Sequence, residues 1–243
     1  MTLRLFVIFL LLFVSPPANA ARVFVAASND YVGIPNTANI GTLLSVSTWV
    51  KPASAGAAGA NYYFSKGNNT GDVNWAFGYT GGVVRLVYTD SFVSFVVWSY
   101  TVTLTVGQWY HLAWTVDWTT NPDTVTVWID GTQHAATCTL GSNNSLPTTT
   151  NPQTTAIGGY VGANFTFDGS LAEPAVFDGS LLGANEIGSL ARGERADKVR
   201  FNVSSYFPLE GWQATEPDYG VNHLGSTTVT GTTRANGPPV IPR

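Results

Sequence analysis

The chain has 243 residues, of which 11% are charged, and its formal net charge is −4. The few lysines and arginines are scattered along the sequence and form no basic stripe. This distribution argues against a nucleic-acid partner and against binding to an anionic membrane surface, because both select clustered basic side chains.

The first 20 residues have the pattern of a secretory signal peptide. A basic start at Arg4 precedes an apolar run over residues 5–14, and Ala18-Asn19-Ala20 supplies a small-x-small site before Ala21. A membrane anchor is the alternative, but about ten apolar residues are too few, since a spanning helix needs about 20. No later segment is long and apolar enough to span a bilayer. We therefore expect an exported mature chain that does not insert into a membrane.

Short strand-like runs separated by turn signals fill most of the remaining chain. Large apolar residues alternate with smaller or polar ones over residues 109–116 and 125–129, and this period of two is typical of half-buried strands. Asp130-Gly131 then predicts a tight hairpin turn, since both turn residues need a positive φ. Further strands are predicted over residues 22–26, 44–50, 62–65, 75–79, 83–88, 92–105, 154–158 and 171–177.

One short helix is predicted over residues 181–191. Ser180 is the candidate N-cap, and Arg192-Gly193 supplies a basic residue and a glycine stop at the other end. A late strand is predicted over residues 200–209, so strands far apart in sequence would pair, as is usual in jelly-roll sandwiches.

The predicted organisation has a single folded domain. Many short strands in a chain of this length fit one all-β unit. Cys138 is the only cysteine, so no internal disulfide is expected. The predicted parts are a signal peptide over 1–20, a jelly-roll domain over 21–210, and a C-terminal extension with a Pro-rich tail over 211–243.

Several segments together resemble the laminin-G-like, concanavalin-A-like jelly rolls, a family of lectins and glucanases related to the pentraxins. The segments that carry the resemblance are Val46-Ser47-Thr48-Trp49-Val50-Lys51-Pro52, Phe64-Ser65-Lys66-Gly67, Trp109-Tyr110-His111-Leu112-Ala113, residues 125–131 and residues 167–177. Their order and spacing are more specific than any one motif. The resemblance covers about residues 23–210, nearly the whole mature chain. The resemblance implies an all-β jelly-roll sandwich of two antiparallel sheets, each of about six or seven strands, with one short helix near its C-terminal end.

The resemblance leaves the function open, because most relatives bind glycans or proteins while some are glycoside hydrolases. The glucanase relatives carry closely spaced acidic residues on one strand, and a retaining mechanism needs two carboxylates about 5–5.5 Å apart. The nearest candidate is Glu173, but Ala172 and Pro174 stand where partners would be needed. His111, His134 and His223 show no metal-binding spacing, and His111 fits a structural role. We therefore expect no enzymatic activity.

Some members of the resembled family bind a calcium ion at a loop rim. Residues 68–72 and Asn29-Asp30 offer suitable oxygens, with Asn69 and Asp72 as candidate ligands. The acidic residues are dispersed, however, and a solvated turn is the other interpretation of this Asn-rich run. Calcium is therefore an open alternative and no cofactor is firmly expected.

Aromatic residues give the best indication of binding, because sugars stack their apolar faces on exposed rings beside polar side chains. The candidate ligand-binding residues are Asp72, Asn74, Trp75, Tyr79, Trp118 and Tyr160. For Trp75 and Trp118 a purely structural role is an equal alternative. The tryptophans whose positions in apolar runs fit the core best are Trp49, Trp109 and Trp114.

The leading hypothesis is an exported, non-catalytic module, secreted or at a cell surface, that binds a glycan or another surface polymer. The alternative is a structural or adhesive protein of a cell or virion surface that binds protein, which an exposed apolar patch would favour. The third hypothesis is an unusual glycosidase, which a pair of facing carboxylates in a cleft would favour.

Overall fold

The computed structural model of the chain describes residues 20–34, 41–54, 61–67, 73–91, 94–144, 154–160, 165–210, 215–223 and 228–239. The strands are β1 (Ala20–Phe24), β2 (Tyr31–Ile34), β3 (Leu43–Pro52), β4 (Asn61–Gly67), β5 (Val73–Thr80), β6 (Val83–Ser91), β7 (Ser94–Thr101), β8 (Tyr110–Asp117), β9 (Thr124–Ile129), β10 (Thr132–Ala135), β11 (Thr137–Leu140), β12 (Thr155–Ile157), β13 (Gly169–Asp178), β14 (Ser205–Tyr206), β15 (Val229–Thr230) and β16 (Thr233–Asn236). The helices are α1 (Ala184–Ala191), α2 (Ala196–Val199) and a 3-10 turn (Ala26–Ser28). No helix within these ranges is long and apolar enough to cross a membrane.

The strands form two antiparallel sheets that pack face to face. Sheet A has the order β10-β9-β8-β3-β13-β1-β16, with β14 also pairing with β13. Sheet B has the order β11-β7-β6-β5-β4-β12-β2-β15. The two-sheet sandwich with a helix near its C-terminal end is confirmed, although each sheet has eight strands and not six or seven.

The main core lies between the two sheets and follows the predicted alternation along β8. Leu112, Trp114 and Val116 face sheet B and are buried. The indole Nε1 of Trp114 donates a hydrogen bond of 3.0 Å to the hydroxyl of Tyr63 in sheet B. This bond satisfies two polar groups that would otherwise be costly to bury between the sheets.

The Asp130-Gly131 hairpin is confirmed. Asp130 has φ 50° and Gly131 has φ 79°, as the tight turn between β9 and β10 requires. Asp130 Oδ1 also accepts a hydrogen bond of 2.8 Å from the backbone N–H of His111. The turn is therefore fixed to the neighbouring strand β8.

The predicted helix is present, but its first turn begins later than expected. The N-cap is Gly183, whose backbone N–H donates to Glu186 Oε2 at 2.8 Å. Ser180 lies before the helix, and its carbonyl accepts a hydrogen bond from the hydroxyl of Ser45. The predicted stop is confirmed, since α1 ends at Ala191 and Gly193 has φ 84°.

Two predicted strands are shorter than expected. Over residues 200–209 only β14 pairs with the sheet, because the chain first completes α2 and a turn in which Val203 N donates to the Arg200 carbonyl. The predicted strand over residues 92–105 contains β7 but leaves the ladder after Thr101. Leu104 N donates instead to the hydroxyl of Tyr79.

The described residues after 210, which are 215–223 and 228–239, are part of the sandwich and not an extension beyond it. β15 pairs with β2 in sheet B, and β16 pairs with β1 in sheet A. Arg22 and Glu216, both almost fully buried, form an ion pair between β1 and this segment. The segment closes one side of the sandwich, as β10 and β11 close the other.

Candidate functional site

The sequence-predicted aromatic residues lie in the interior, which corrects the expectation of exposed rings. Trp75 and Tyr79 are each 2% exposed, and both pack in the core between the sheets. Trp118 is 5% exposed and meets the ring of Tyr88 edge-on at 5.5 Å. Neither tryptophan presents a ring face that a sugar could stack on in this structure.

The outer face of sheet B is covered as well. Tyr160 lies on that face, is 2% exposed and meets Tyr62 at 4.9 Å between ring centroids. Ala76 of β5 packs beneath Tyr160 in the same cluster. Asn74, in the same strand, is also fully buried. Side chains on both faces of β5 are therefore shielded from solvent.

The predicted calcium ligands cannot be placed, since Asn69 and Asp72 fall outside the described residues. The second candidate run, Asn29-Asp30, forms a turn in which Asp30 Oδ2 accepts a hydrogen bond of 2.9 Å from Val25 N. Among the residues with described positions, no group of three or more His, Cys, Asp or Glu could hold a metal ion. Calcium binding stays a prediction.

A different set of side chains meets on the outer face of sheet A. We call it the Arg195 cluster, and its members are Glu173, Arg195, Asp197, Tyr206 and Tyr219. The guanidinium carbon of Arg195 lies 5.4 Å from the ring centroid of Tyr206 and 5.2 Å from that of Tyr219. A guanidinium at such distances is attracted to both rings.

The position of Arg195 is further fixed by Asp197. Arg195 Nε donates to Asp197 Oδ1 at 3.0 Å, and Nη2 donates to Oδ2 at 3.3 Å. This two-point hydrogen bonding with Asp197 is the main cause of a raised Arg195 pKa. Planar bidentate pairs of this kind hold both groups in one orientation.

Glu173 supplies a carboxyl group on the inner side of the cluster. It lies at a β-bulge of β13 with φ 55° and accepts a hydrogen bond from the hydroxyl of Tyr206. Burial raises the pKa of Glu173 to about 7. Burial, with the nearby Glu173 carboxyl, also raises the pKa of Tyr206, so its hydroxyl stays a donor.

The outer side of the cluster is open to solvent. Tyr219 is 43% exposed, and its backbone N–H donates to the Tyr206 carbonyl at 2.8 Å. Asp218 Oδ1 accepts hydrogen bonds from the backbone N–H groups of Tyr206 and Gly220. These bonds hold the Tyr219 turn against β14 and keep its ring at the surface.

Two apolar side chains extend this surface. Val221 is 54% exposed and its backbone N–H donates to the Val203 carbonyl. Phe201, in the turn before Val203, is 89% exposed. Isolated exposed apolar residues are ordinary, but two of them close in the chain to Tyr219 and to α2 indicate a contact surface.

Comparison with known families agrees with this architecture. A family model for the concanavalin A-like lectin/glucanases superfamily, laminin G type, matches residues 26–188, more than half of the chain. The chain belongs to this superfamily. The predicted resemblance is confirmed. No sequence among the curated proteins matches this concanavalin A-like chain.

Solved structures show the same fold at low sequence identity. A proposed carbohydrate-binding protein from Bacteroides ovatus has a TM-score of 0.68 and 14% identity, covering 93% of this chain and 62% of that protein. A heptameric pentraxin from Limulus polyphemus has a TM-score of 0.53 and 15% identity, covering 90% and 93% respectively. The receptor-binding domain of a botulinum neurotoxin C/D mosaic has a TM-score of 0.55 and 12% identity, covering 72% and 43%. At these identities the likeness shows the fold alone.

Sequence reasoning missed the Arg195 cluster of this concanavalin A-like domain. Four of its members lie beyond residue 188, where the family match ends. A signal was nevertheless present, since Tyr219 stands between Asp218 and Gly220 in a polar turn. The same pattern, an aromatic residue beside turn formers, also marks Trp118.

Proposed function

We propose that this chain is an exported, non-catalytic module that binds carbohydrate through the open side of the Arg195 cluster. The observation that carries the proposal is the half-exposed Tyr219 ring, held beside the charged pair of Arg195 and Asp197. An aromatic face supplies apolar contact for sugar C–H groups, and planar charged side chains supply directed hydrogen bonds to hydroxyls. The site combines both kinds of group.

The rigidity of these side chains favours recognition. Tyr219 is fixed through its backbone hydrogen bond to β14, and Arg195 through two hydrogen bonds to Asp197. Pre-ordered side chains lose little conformational entropy when a ligand binds. A small open surface still gives weak single-site binding, which display of several copies would strengthen.

Two observations support a binding role over a catalytic one. The carboxyl of Glu173 accepts a hydrogen bond from Tyr206, a fully buried side chain, and the nearby Asp197 carboxylate is paired with Arg195. The similar structures include a proposed carbohydrate-binding protein and a receptor-binding domain. A glycosidase would instead need a second carboxylate at the reacting bond.

Protein binding is the second candidate, and a specific observation favours it. Phe201 and Val221 are strongly exposed and offer no side-chain hydrogen bonds. Apolar groups of this kind contribute more to a protein interface than to a sugar site. Under this alternative Phe201 would be the anchoring residue.

A glycan array with the mature chain from Ala21 tests the proposal, run with calcium and again with a chelator. We expect selective binding that Tyr219→Ala weakens by about tenfold, since a lost stacking contact of about 1.4 kcal/mol has that effect. Phe95→Ala is the matched control, because Phe95 is 41% exposed on sheet B and distant in the fold. Its affinity should match that of the parent protein.

Three results would count against the proposal as stated. A blank array from folded protein would reject carbohydrate binding and favour the protein partner. Equal losses in both variants would show that Tyr219 is not the site. Loss of binding with the chelator and no effect of Tyr219→Ala would move the site to the Asn69 and Asp72 loop.

A further inference from the structure

The register of β1 places Ala21 beside the bulge of β13. Arg22 pairs with Leu171, Val23 with Ser170 and Phe24 with Gly169. Because the strands are antiparallel, one step back along β1 is one step forward along β13, so Ala21 lies opposite Ala172. Both alanines are fully buried and belong to one packed cluster.

Glu173 is the next residue along β13 after Ala172. The register of β13 shifts between Ala172 and Ala175, and Glu173 adopts φ 55°, an unusual backbone conformation for a residue with a side chain. Before this bulge β13 pairs with β1, and after it β13 pairs with β14. The Glu173 carboxyl thus lies where the start of β1 meets the Arg195 cluster.

Glu173 lacks a cationic hydrogen-bond donor among the described residues. The hydrogen bonds of Arg195 go to Asp197, and within the described part of the chain the Glu173 carboxyl accepts its hydrogen bond from the Tyr206 hydroxyl. Burial is the largest cause of the raised Glu173 pKa; Arg195 acts to lower that pKa, and the carboxylates of Asp197 and Glu210 each act to raise it. A buried carboxylate in this setting is stabilised best by a compact cation.

We propose that the α-ammonium group of Ala21, formed when residues 1–20 are removed, binds the Glu173 carboxylate. An ammonium carries three donors and one positive charge, whereas the peptide N–H of the unprocessed chain carries one donor and no charge. The bond would tie the first residue of β1 to the bulge, and through Tyr206 to the carbohydrate surface. The inference rests on the export part of the proposed function and is independent of carbohydrate binding.

The charges around Glu173 set the expected pH dependence. They come from Arg195 and Asp197 at the start of α2, Tyr206 on β14 and Glu210 beyond it, and the proposal adds the Ala21 ammonium to them. Without the ammonium, the folded-state pKa of Glu173 is raised to about 7, so its contribution to stability falls as the pH rises from about 4.5 to 7. The ammonium lowers that pKa and removes much of this loss.

The test compares two forms of the mature protein, one with a free α-amine at Ala21 and one with that amine acetylated. Each form is made with Glu173, with Glu173→Gln, and with Glu186→Gln as the matched control. Glu186 is another partly buried glutamate, and it pairs with Arg200. Thermal unfolding at pH 7.5 and the NMR titration of the α-amine are measured.

Acetylation should lower the melting temperature by about 2–4 °C in the parent and in Glu186→Gln, with no effect in Glu173→Gln. The α-amine of the parent should titrate at about 9, above its ordinary value of about 8. An equal acetylation effect in Glu173→Gln, or an α-amine that titrates at its ordinary value, would overturn the proposal. If Glu173→Gln fails to fold, the titration of the parent decides alone.

Failure of this inference and failure of the proposed function give different results. Mass spectrometry of the secreted protein shows whether cleavage leaves Ala21 first, which tests the export part. The amine test uses protein prepared to begin at Ala21, so its result does not depend on how that end arises in the cell. Neither measurement involves a glycan.

Discussion

The outer faces of the two sheets differ in where their aromatic residues lie. On sheet B, Tyr62, Tyr160 and Phe165 pack against one another and shield β5. On sheet A, α1 and α2 cover the middle of the sheet, and Tyr219 lies beyond them with much of its ring in solvent. The aromatic residues on the outer face of sheet B complete its packing, whereas Tyr219 on sheet A stays exposed to solvent.

The difference follows from how the chain holds each ring. Tyr62 belongs to a strand, so its side chain is directed onto a sheet face where neighbouring rings meet it. Tyr219 lies in a turn that is fixed by backbone hydrogen bonds to Tyr206 and by Asp218. A ring on an anchored turn can be both ordered and exposed, which a ligand site requires.

Loss of the ion pair between Arg22 and Glu216 should have the largest effect on stability, because this pair anchors the segment that carries Tyr219. Arg22→Ala leaves Glu216 buried without its main cation, and we expect unfolding free energy to fall by about 3–5 kcal/mol. Urea unfolding of the mature chain measures this. A loss below about 1 kcal/mol would show that the segment after residue 210 is not integral to the domain.

Removing one aromatic ring from the outer face of each sheet should give two different losses, one of stability and one of ligand binding. Tyr160→Ala empties a buried position on sheet B and should cost about 2–4 kcal/mol in unfolding free energy, with glycan affinity unchanged in the folded protein. Tyr219→Ala should cost less than about 1 kcal/mol and weaken binding. Urea unfolding and glycan titration of both variants give the comparison. Weakened binding in Tyr160→Ala alone would reverse our assignment of the two faces.

His111, on the outer face of sheet A beside Trp49, should produce a smaller, pH-dependent effect. Burial lowers its folded-state pKa to about 3, below the unfolded value of about 6.5. The unfolded state therefore binds the proton first, and stability falls as the pH drops from about 6.5 to 3. Between pH 6.5 and 4.5 we expect this histidine to lower the free energy of unfolding by about 2 kcal/mol.

The matched variant for this prediction is His111→Leu, which removes the titrating group and keeps an apolar side chain. Urea unfolding at pH 6.5 and 4.5 gives the pH-dependent difference for each protein. The parent should lose more stability than the variant over that interval. Equal losses would mean that His111 is not buried in its neutral form.

Local patterns in the sequence predicted much of the fold. The alternation along β8, the turn at Asp130-Gly131 and the stop at Gly193 each depend on a few neighbouring residues. The short strands β15 and β16 have no such pattern, because they are stabilised by pairing with β2 and β1 far away in sequence. Their place in the sandwich could only come from the three-dimensional structure.

The candidate functional site was harder to predict from the sequence, because it also depends on contacts between residues far apart in the chain. Burial of Trp75 depends on the core between the two sheets, and burial of Tyr160 depends on the cluster over the outer face of sheet B; neither is encoded in the residues next to these rings. The Arg195 cluster joins Glu173 to residues 195–219, so no short motif contains it. Exposure and long-range contact, which decide the site, are properties of the whole fold.

The central claim is that carbohydrate contacts the Tyr219 side of sheet A. The most direct measurement is a titration of the ¹⁵N-labelled mature chain with the oligosaccharide that binds most tightly on the array, followed by amide NMR. The account predicts that the largest shifts fall within residues 195–206 and 218–222. Shifts confined to residues 68–72 or to sheet B, with these amides unchanged, would contradict it.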